Sequence, residues 1–283
     1  KALCTTNLAD PTIIDGSKYF DALVWSGTGA NVDRTINGLN FTSEADFIWS
    51  KDRSYGYHHS LWDIVRGFGS SNALGSDYND GEGTVSSGRI KSTTNSGITW
   101  ENDSGALWYD VSGHSYVAWA WDAGSSTASN TDGSITSSVR ANPSAGFSIV
   151  KWTAGGSYGM QSVGHGLNAK PAIVINKRTD ASGEWTVFTD VIDGSYDDLS
   201  LNSTRAAISS TGYYQADSST FDLYHGHYTD NGWEFIAYCF ASVEGYSAFG
   251  SYTGNGSTDG PFVYTGFRPQ FILFKNASAA GTD

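Results

Sequence analysis

The sequence is short of several things at once. Its 283 residues include one Met, two Cys and five Pro, and Glu is scarce, so most of the acid is Asp. Strong helix formers are few and the turn-prone acid is common, which argues against a helical domain. The two cysteines, Cys4 and Cys239, stand far apart; they resemble no disulfide framework and leave the redox compartment open. No apolar run approaches the ~20 residues of a membrane-spanning helix, and the start shows no signal-peptide pattern. No Lys/Arg cluster occurs, and 16 basic against 29 acidic residues leave a net charge of −13. That balance argues against a nucleic-acid backbone as partner and reads as dispersed, solubilising charge. Neither membrane insertion nor nucleic-acid binding is expected, and no cofactor motif is present. The glycine-rich turns, including Val163-Gly-His-Gly-Leu167, lack the Lys-Ser/Thr and the following helix of a phosphate loop.

What the chain does have is glycine and rings: 34 Gly, 16 Tyr, 14 Phe and 10 Trp. Aromatic residues favour strands and glycine favours turns, so the fold class is all-β. The rings fall in a pattern that occurs three times. The copies are Phe20-Asp-Ala-Leu-Val-Trp25, Phe147-Ser-Ile-Val-Lys-Trp152 and the stretch 246–252. Each is followed by a glycine turn, a Gly-Leu or Gly-Phe corner, and an apolar strand ending in Lys51, Lys177 or Lys275. The spacing is that of small domains rather than of solenoid units. A second motif closes the first two copies: Ser115-Tyr-Val-Ala-Trp-Ala-Trp121 matches Glu234-Phe-Ile-Ala-Tyr-Cys-Phe240. Cys239 thus takes the place of Ala120, where a lone buried thiol behaves as a small hydrophobe.

These repeats predict tandem β-sandwich or jelly-roll-like modules of about seven short strands each. Residues 1–19 read as a lead-in segment, 20–121 as module 1, 122–146 as a Ser/Gly/Thr-rich linker, 147–241 as module 2, and 242–283 as an incomplete module 3 without its closing strand. That truncation predicts that the chain is a piece of a longer protein. The first strand carries apolar residues on both faces and is expected to be covered on both. The stretch 68–94 reads as a long glycine-rich contact loop, and 204–209 as a single helical turn.

Several constellations invite chemistry. His58-His59 with Asp63, and His225-Gly-His227 with Asp222, have imidazoles but no third ligand defined by spacing. The turns 77–82 and 193–198 are rich in Asp, yet neither meets calcium-loop spacing, and the sequence leaves their ion binding open. Glu101, Glu184 and Glu234 show no pairing of the glycosidase kind. No catalytic and no metal residue is therefore assigned, and the recurring lysines are read as charged strand ends reaching solvent. Aromatic residues near glycine turns can stack on sugar faces. Tyr55, Tyr57, Trp62, Tyr213, Tyr214 and Tyr228 are the ligand-contact candidates, within a wider set that includes Tyr158 and Tyr224.

The three copies, with Cys4-Thr-Thr-Asn-Leu-Ala-Asp-Pro-Thr-Ile, Trp62-Asp-Ile-Val-Arg-Gly67 and the string 244–264, resemble a repeated β-module of tailed bacteriophages, common in marine phages and cyanophages. The module occurs there in tail-fibre-like virion proteins. The resemblance implies a non-enzymatic virion structural protein on the particle surface, a tail fibre or similar appendage, that recognises host-surface glycan or acts as a scaffold. It implies other virion proteins as partners and a homo-oligomer, with a trimer the usual fibre arrangement. A polysaccharide depolymerase or glycosidase, and a purely structural capsid or tail decoration, are the alternatives. The resemblance carries no catalytic residues.

Overall fold

The computed structural model describes residues 11–69, 72–83, 89–102 and 109–279. Cys4, the first ten lead-in residues, residues 103–108 and parts of the stretch 68–94 lie outside them.

Among the described residues, seven strands build module 1: β1 (Phe20–Ser26), β2 (Arg34–Asn37), β3 (Phe47–Asp52), β4 (Ser60–Asp63), β5 (Arg89–Thr93), β6 (Gly97–Glu101) and β7 (Ser115–Trp121). They form two antiparallel sheets, β1-β7-β3-β4 and β2-β6-β5. Trp25, Trp62, Trp100, Ile98 and Tyr116 fill the space between them. From β7 come only Ala118 and Ala120 beside that tyrosine, small residues that leave room for the indoles.

Eleven strands follow. They are β8 (Thr127–Asn130), β9 (Ser137–Asn142), β10 (Phe147–Thr153), β11 (Gly159–Gly164), β12 (Ile173–Arg178), β13 (Trp185–Thr189), β14 (Asp197–Ser200), β15 (Ile208–Ser209), β16 (Tyr214–Ala216), β17 (Thr220–His225) and β18 (Glu234–Phe240). Eight of them form one sheet, β15-β14-β13-β12-β18-β10-β9-β8, and three form another, β11-β17-β16. Trp152, Val163, Phe188, Phe221, Phe235 and Cys239 lie between these sheets. The fold is all-β and sandwich-like, as the composition implies.

The two large sheets also pack on each other. Phe20, Phe47, Trp49 and Trp121 meet Phe147, Ile149, Ile175 and Tyr238 in one buried cluster, with the rings of Phe47 and Tyr238 4.2 Å apart. The order through the molecule is therefore small sheet, large sheet, large sheet, small sheet. A strand covered on both faces needs apolar residues at successive positions. On β3, Ile48 faces the core of module 1 while Phe47 and Trp49 face module 2. On β18, Ala237 and Cys239 face inward while Ile236 and Tyr238 face module 1. The edge strand β1 follows this only in part. Phe20 reaches the joint and Leu23 and Trp25 the core, but Val24 is 61% exposed.

Polar groups sealed in the joint must find partners there. Arg66 and Asp63, both buried, form an ion pair. The Tyr238 hydroxyl, from module 2, donates to Asp63 Oδ2 at 2.8 Å. Arg66 also reaches Glu82 at 3.2 Å and the carbonyl of Asn72 at 2.6 Å. A second bridge joins Asp46 to Arg140 at 2.8 Å, and the Ala123 N–H donates to the same carboxylate. Burial pushes the Asp46 carboxyl up to about 7, against the pull of Arg140.

Other features depart from the sequence reading. Residues 72–83 do not project outward; they fold over module 2. Trp185 Nε1 donates to the Gly75 carbonyl at 2.7 Å, and the backbone pairs Glu82 with Thr179 and Gly183 with Asn79. Ala73 and Leu74 anchor this stretch by burial. Ten of the 25 residues of the expected linker are sheet, since β8 and β9 extend the large sheet of module 2 and Val139 enters its core. Residues 204–207 are not helical; Arg205 is held to Asp198 at 2.7 Å, and the chain runs on into β15. Lys177 does not reach solvent. It is fully buried, burial lowers it to about 8, and its Nζ donates to the carbonyls of Arg178 and Asn79. Lys51 donates likewise to the carbonyls of Asp52 and Tyr55, and Lys275 to that of Ser203. In all three copies the recurring lysine ties down backbone carbonyls, Lys51 and Lys177 at the end of their own strands and Lys275 on the segment before β15.

Two expectations follow from the joint. Arg66→Met leaves the Asp63 carboxylate buried without its cation, and should lower the unfolding free energy by about 3–5 kcal/mol. Chemical denaturation measures this, and a loss under about 1 kcal/mol, the scale of a surface pair, would contradict the latch. For Asp46 the folded carboxyl holds its proton to higher pH than the unfolded one. Its contribution is therefore complete below the unfolded value of 3.8 and lost as pH rises through about 7. Between roughly pH 5 and pH 8 the wild type should lose on the order of 2 kcal/mol relative to Asp46→Asn. Parallel denaturation curves for the two proteins would refute this.

Candidate functional site

The outer face of the sheet β11-β17-β16 is where module 2 presents rings and polar groups together. Register sets the arrangement. Phe221 and Leu223 of β17 point into the core, so Asp222 and Tyr224 point out. Met160 of β11 lies opposite Tyr224, and Gln215 of β16 lies opposite Asp222. Tyr213 stands just before β16, where its carbonyl accepts from the Tyr224 N–H at 2.9 Å. The result is a row of Met160, Tyr224 and Tyr213 beside a row holding Asp222 and Gln215.

The rings brace one another. Tyr213 stacks on His227 with centroids 4.4 Å apart, and Tyr224 meets Tyr213 edge-on at 5.4 Å. Tyr158 meets Tyr224 edge-on at 5.8 Å and is 77% exposed. Gly226 makes this possible: it turns the chain after β17 with φ +87°, and a Cβ there would lie 2.6 Å from the Tyr158 ring. In the polar row, Asp222 accepts from Gln215 Nε2 at 2.8 Å and from Thr220 Oγ1 at 3.0 Å. Those bonds orient a carboxylate and an amide beside the aromatic row.

Module 1 carries a second ledge. Buried Asp52 accepts from the N–H groups of Ser54 and Tyr55 and contacts His114 Nδ1 at 2.6 Å. Lys51 holds the Tyr55 carbonyl from below. With both ends of the turn fixed, Tyr55 lies nearly parallel to His114 at 4.4 Å and to Tyr57 at 5.6 Å. Tyr55 is 58% and Tyr57 43% exposed.

Of the six ligand-contact candidates, Tyr55, Tyr57 and Tyr213 occupy these ledges. Trp62 and Tyr214 do not qualify: both are buried in module cores, and neither can offer a ring face to a ligand. Tyr228 is half-buried, edge-on to Phe188 at 4.8 Å. Sequence reasoning missed Met160, Asp222, Gln215 and His227 as neighbours of Tyr213, because β-pairing rather than sequence spacing assembles them. His114 was missed for the same reason.

The other constellations disperse. His225 is buried beside Tyr158 while His227 stacks on Tyr213, so the two imidazoles serve separate contacts. His58 pairs with Asp77, and His59 accepts from the Trp49 indole at 2.8 Å. His165, in the corner motif, is buried and neutral in its bonding: Nδ1 accepts from the Leu167 N–H while Nε2 faces the Asp217 carbonyl. Burial lowers its basicity. Asp193 is spent on its own turn through Ser195, Glu101 pairs with Arg89, and Glu184 lies 3.4 Å from Arg205. Among the described residues no three His, Cys, Asp or Glu side chains come together as a metal site.

No curated protein and no solved structure matches the chain. One family does: its description reads "Domain of unknown function (DUF7483)", and it matches residues 15–282. The match takes in both sandwiches and the third copy of the repeat, and the chain belongs to that family.

Proposed function

We propose that this chain is a non-enzymatic recognition module of a virion surface appendage, such as a phage tail fibre, and that it binds glycan on the host surface. The observation that carries the binding part is the paired rows on the outer sheet of module 2. Aromatic rings give a flat apolar face for a sugar ring, and the neighbouring Asp222 and Gln215 give an acceptor and an amide for its hydroxyls. The Tyr55–Tyr57 ledge on module 1 is a secondary contact of the same chemistry. The virion part rests on the resemblance of the repeats and the 244–264 string to phage tail-fibre-like modules. Buried joints hold the ledges on rigid sheets, which limits the ordering cost of binding. Other virion proteins would anchor the appendage, and a homotrimer would multiply weak sites through avidity.

Retention of the protein on a panel of bacterial surface polysaccharides, read together with release of new reducing ends, tests this reading. Retention without new ends is expected. Tyr224→Ala and Asp222→Ala should each weaken retention about tenfold or more, equivalent to about 1.4 kcal/mol. New reducing ends would establish a depolymerase instead. Absence of retention on every polysaccharide would favour a purely structural decoration.

A further inference from the structure

The small sheet of module 2 is built from parts of the chain that hold no permanent cation. Neither 153–169 nor 206–233, which carry β11, β16, β17 and their turns, contains a Lys or Arg. The same two stretches contain Asp217, Asp222 and Asp230. Of their histidines, His165 and His225 are buried and His227 lies against Tyr213. The cations at the margin are already engaged. Lys170 pairs with Asp190 and lies over the Tyr196 ring, 4.9 Å from its centroid. The Tyr196 hydroxyl in turn donates to the Ala216 carbonyl of β16 at 2.9 Å. Arg205 pairs with Asp198, and Arg178 with Asp180.

Within that sheet the acid and the rings stand one repeat of the pleat apart. Asp222 and Tyr224 are two residues apart on β17 and share its outer face, so their Cα atoms lie about 7 Å apart. A group on the rim of a sugar ring stacked on Tyr224 therefore falls beside Asp222. Two donors, Gln215 Nε2 and Thr220 Oγ1, orient the Asp222 carboxylate, and a carboxylate can only accept. A second acid adds to it from the β16–β17 turn. Asp217 accepts from the Thr220 and Ser219 N–H groups at 2.8 and 2.7 Å, and those bonds hold its carboxyl below the usual carboxylate range. The ring faces carry the same preference, since the π-cloud of a tyrosine attracts cations.

Resting on the reading that this face holds a glycan, we infer that the sugar residue it takes carries a free amine, and that Asp222 selects it. An ammonium supplies donors and positive charge together, and a carboxylate and a ring face attract both. N-acetylation removes that charge. Carboxylated, sulfated or phosphorylated sugars bring acceptors and like charge to a face whose own strands and turns hold no Lys or Arg, a mismatch that electrostatic complementarity penalises. The class of ligand is thus a cationic amino sugar, not an acidic one.

Affinities of the whole chain for three oligosaccharides of equal length test this: a glucosamine oligomer with free amines, its N-acetylated form and an oligouronate. The amine form should bind about tenfold or more tightly than the acetylated form, with the oligouronate the weakest of the three. Raising the salt from about 0.05 to 0.5 M should narrow the gap. Asp222→Asn should close it. Asp21→Asn removes the same charge from β1 of module 1 and should leave it intact. A gap lost equally in both variants would mean that net charge alone attracts the amine, and would overturn the inference. Equal affinity for the free and acetylated forms, or tighter binding of the oligouronate, would overturn it while leaving the glycan reading in place. Binding of none of the three would overturn it as well, and retention on the polysaccharide panel then decides the glycan reading separately.

Discussion

Everything in this molecule depends on burying two β-sheets from both sides. A single sandwich needs one apolar face per sheet. Here β3, β7, β10, β12 and β18 carry two, because the large sheets of the modules also pack on each other. That constraint explains the closing strands better than local propensity does. Ala118, Ala120, Ala237 and Cys239 are small where they meet crowded indoles and phenyl rings, while Trp121 and Tyr238 are large where they cross the joint. It also explains why ionic groups are buried there. Asp63, Arg66 and the Tyr238 hydroxyl satisfy one another, and a buried pair of this kind fixes how two surfaces meet more than it adds stability.

The joint determines what is left for function. With the central strands of both large sheets covered, what meets solvent is the small sheets, the hairpin turns and the edge strands β1, β8 and β15. The ledges occur at such places: Tyr213 and Tyr224 on the outer side of β11-β17-β16, and Tyr55 and Tyr57 on the β3–β4 turn. Each is held from beneath by polar contacts, Lys51 and Asp52 in one case and the Gly226 turn in the other. Rings fixed in this way lose little freedom on meeting a ligand.

Much of the architecture was legible in the sequence, and the failures have physical causes. The repeat located β1, β3, β7, β10, β12 and β18, because strands with two apolar faces leave a strong signal. The strands β8 and β9 were hidden in a Ser/Thr-rich stretch: β8 is an edge strand exposed along most of its length, which needs few apolar residues, and β9, paired on both sides, is built mainly of small and polar residues around Val139. The docking of 72–83 was equally hidden, because it rests on the carbonyls of Gly75 and Asn79, which every residue possesses. Tyr213 was readable as a contact residue from its place by a glycine turn. Tyr214, its neighbour, was not distinguishable from it until pleating sent one ring outward and the other into the core. The rest of the site, Met160, Asp222 and Gln215, depends on which strands pair, and sequence spacing does not encode that.

Calorimetric unfolding of the whole chain is the most direct test of the shared joint. If the two sandwiches are one cooperative body, heat absorption should show a single transition whose van't Hoff and calorimetric enthalpies agree. Two resolved transitions, each of the size expected for one module, would contradict the account and return the modules to independent domains.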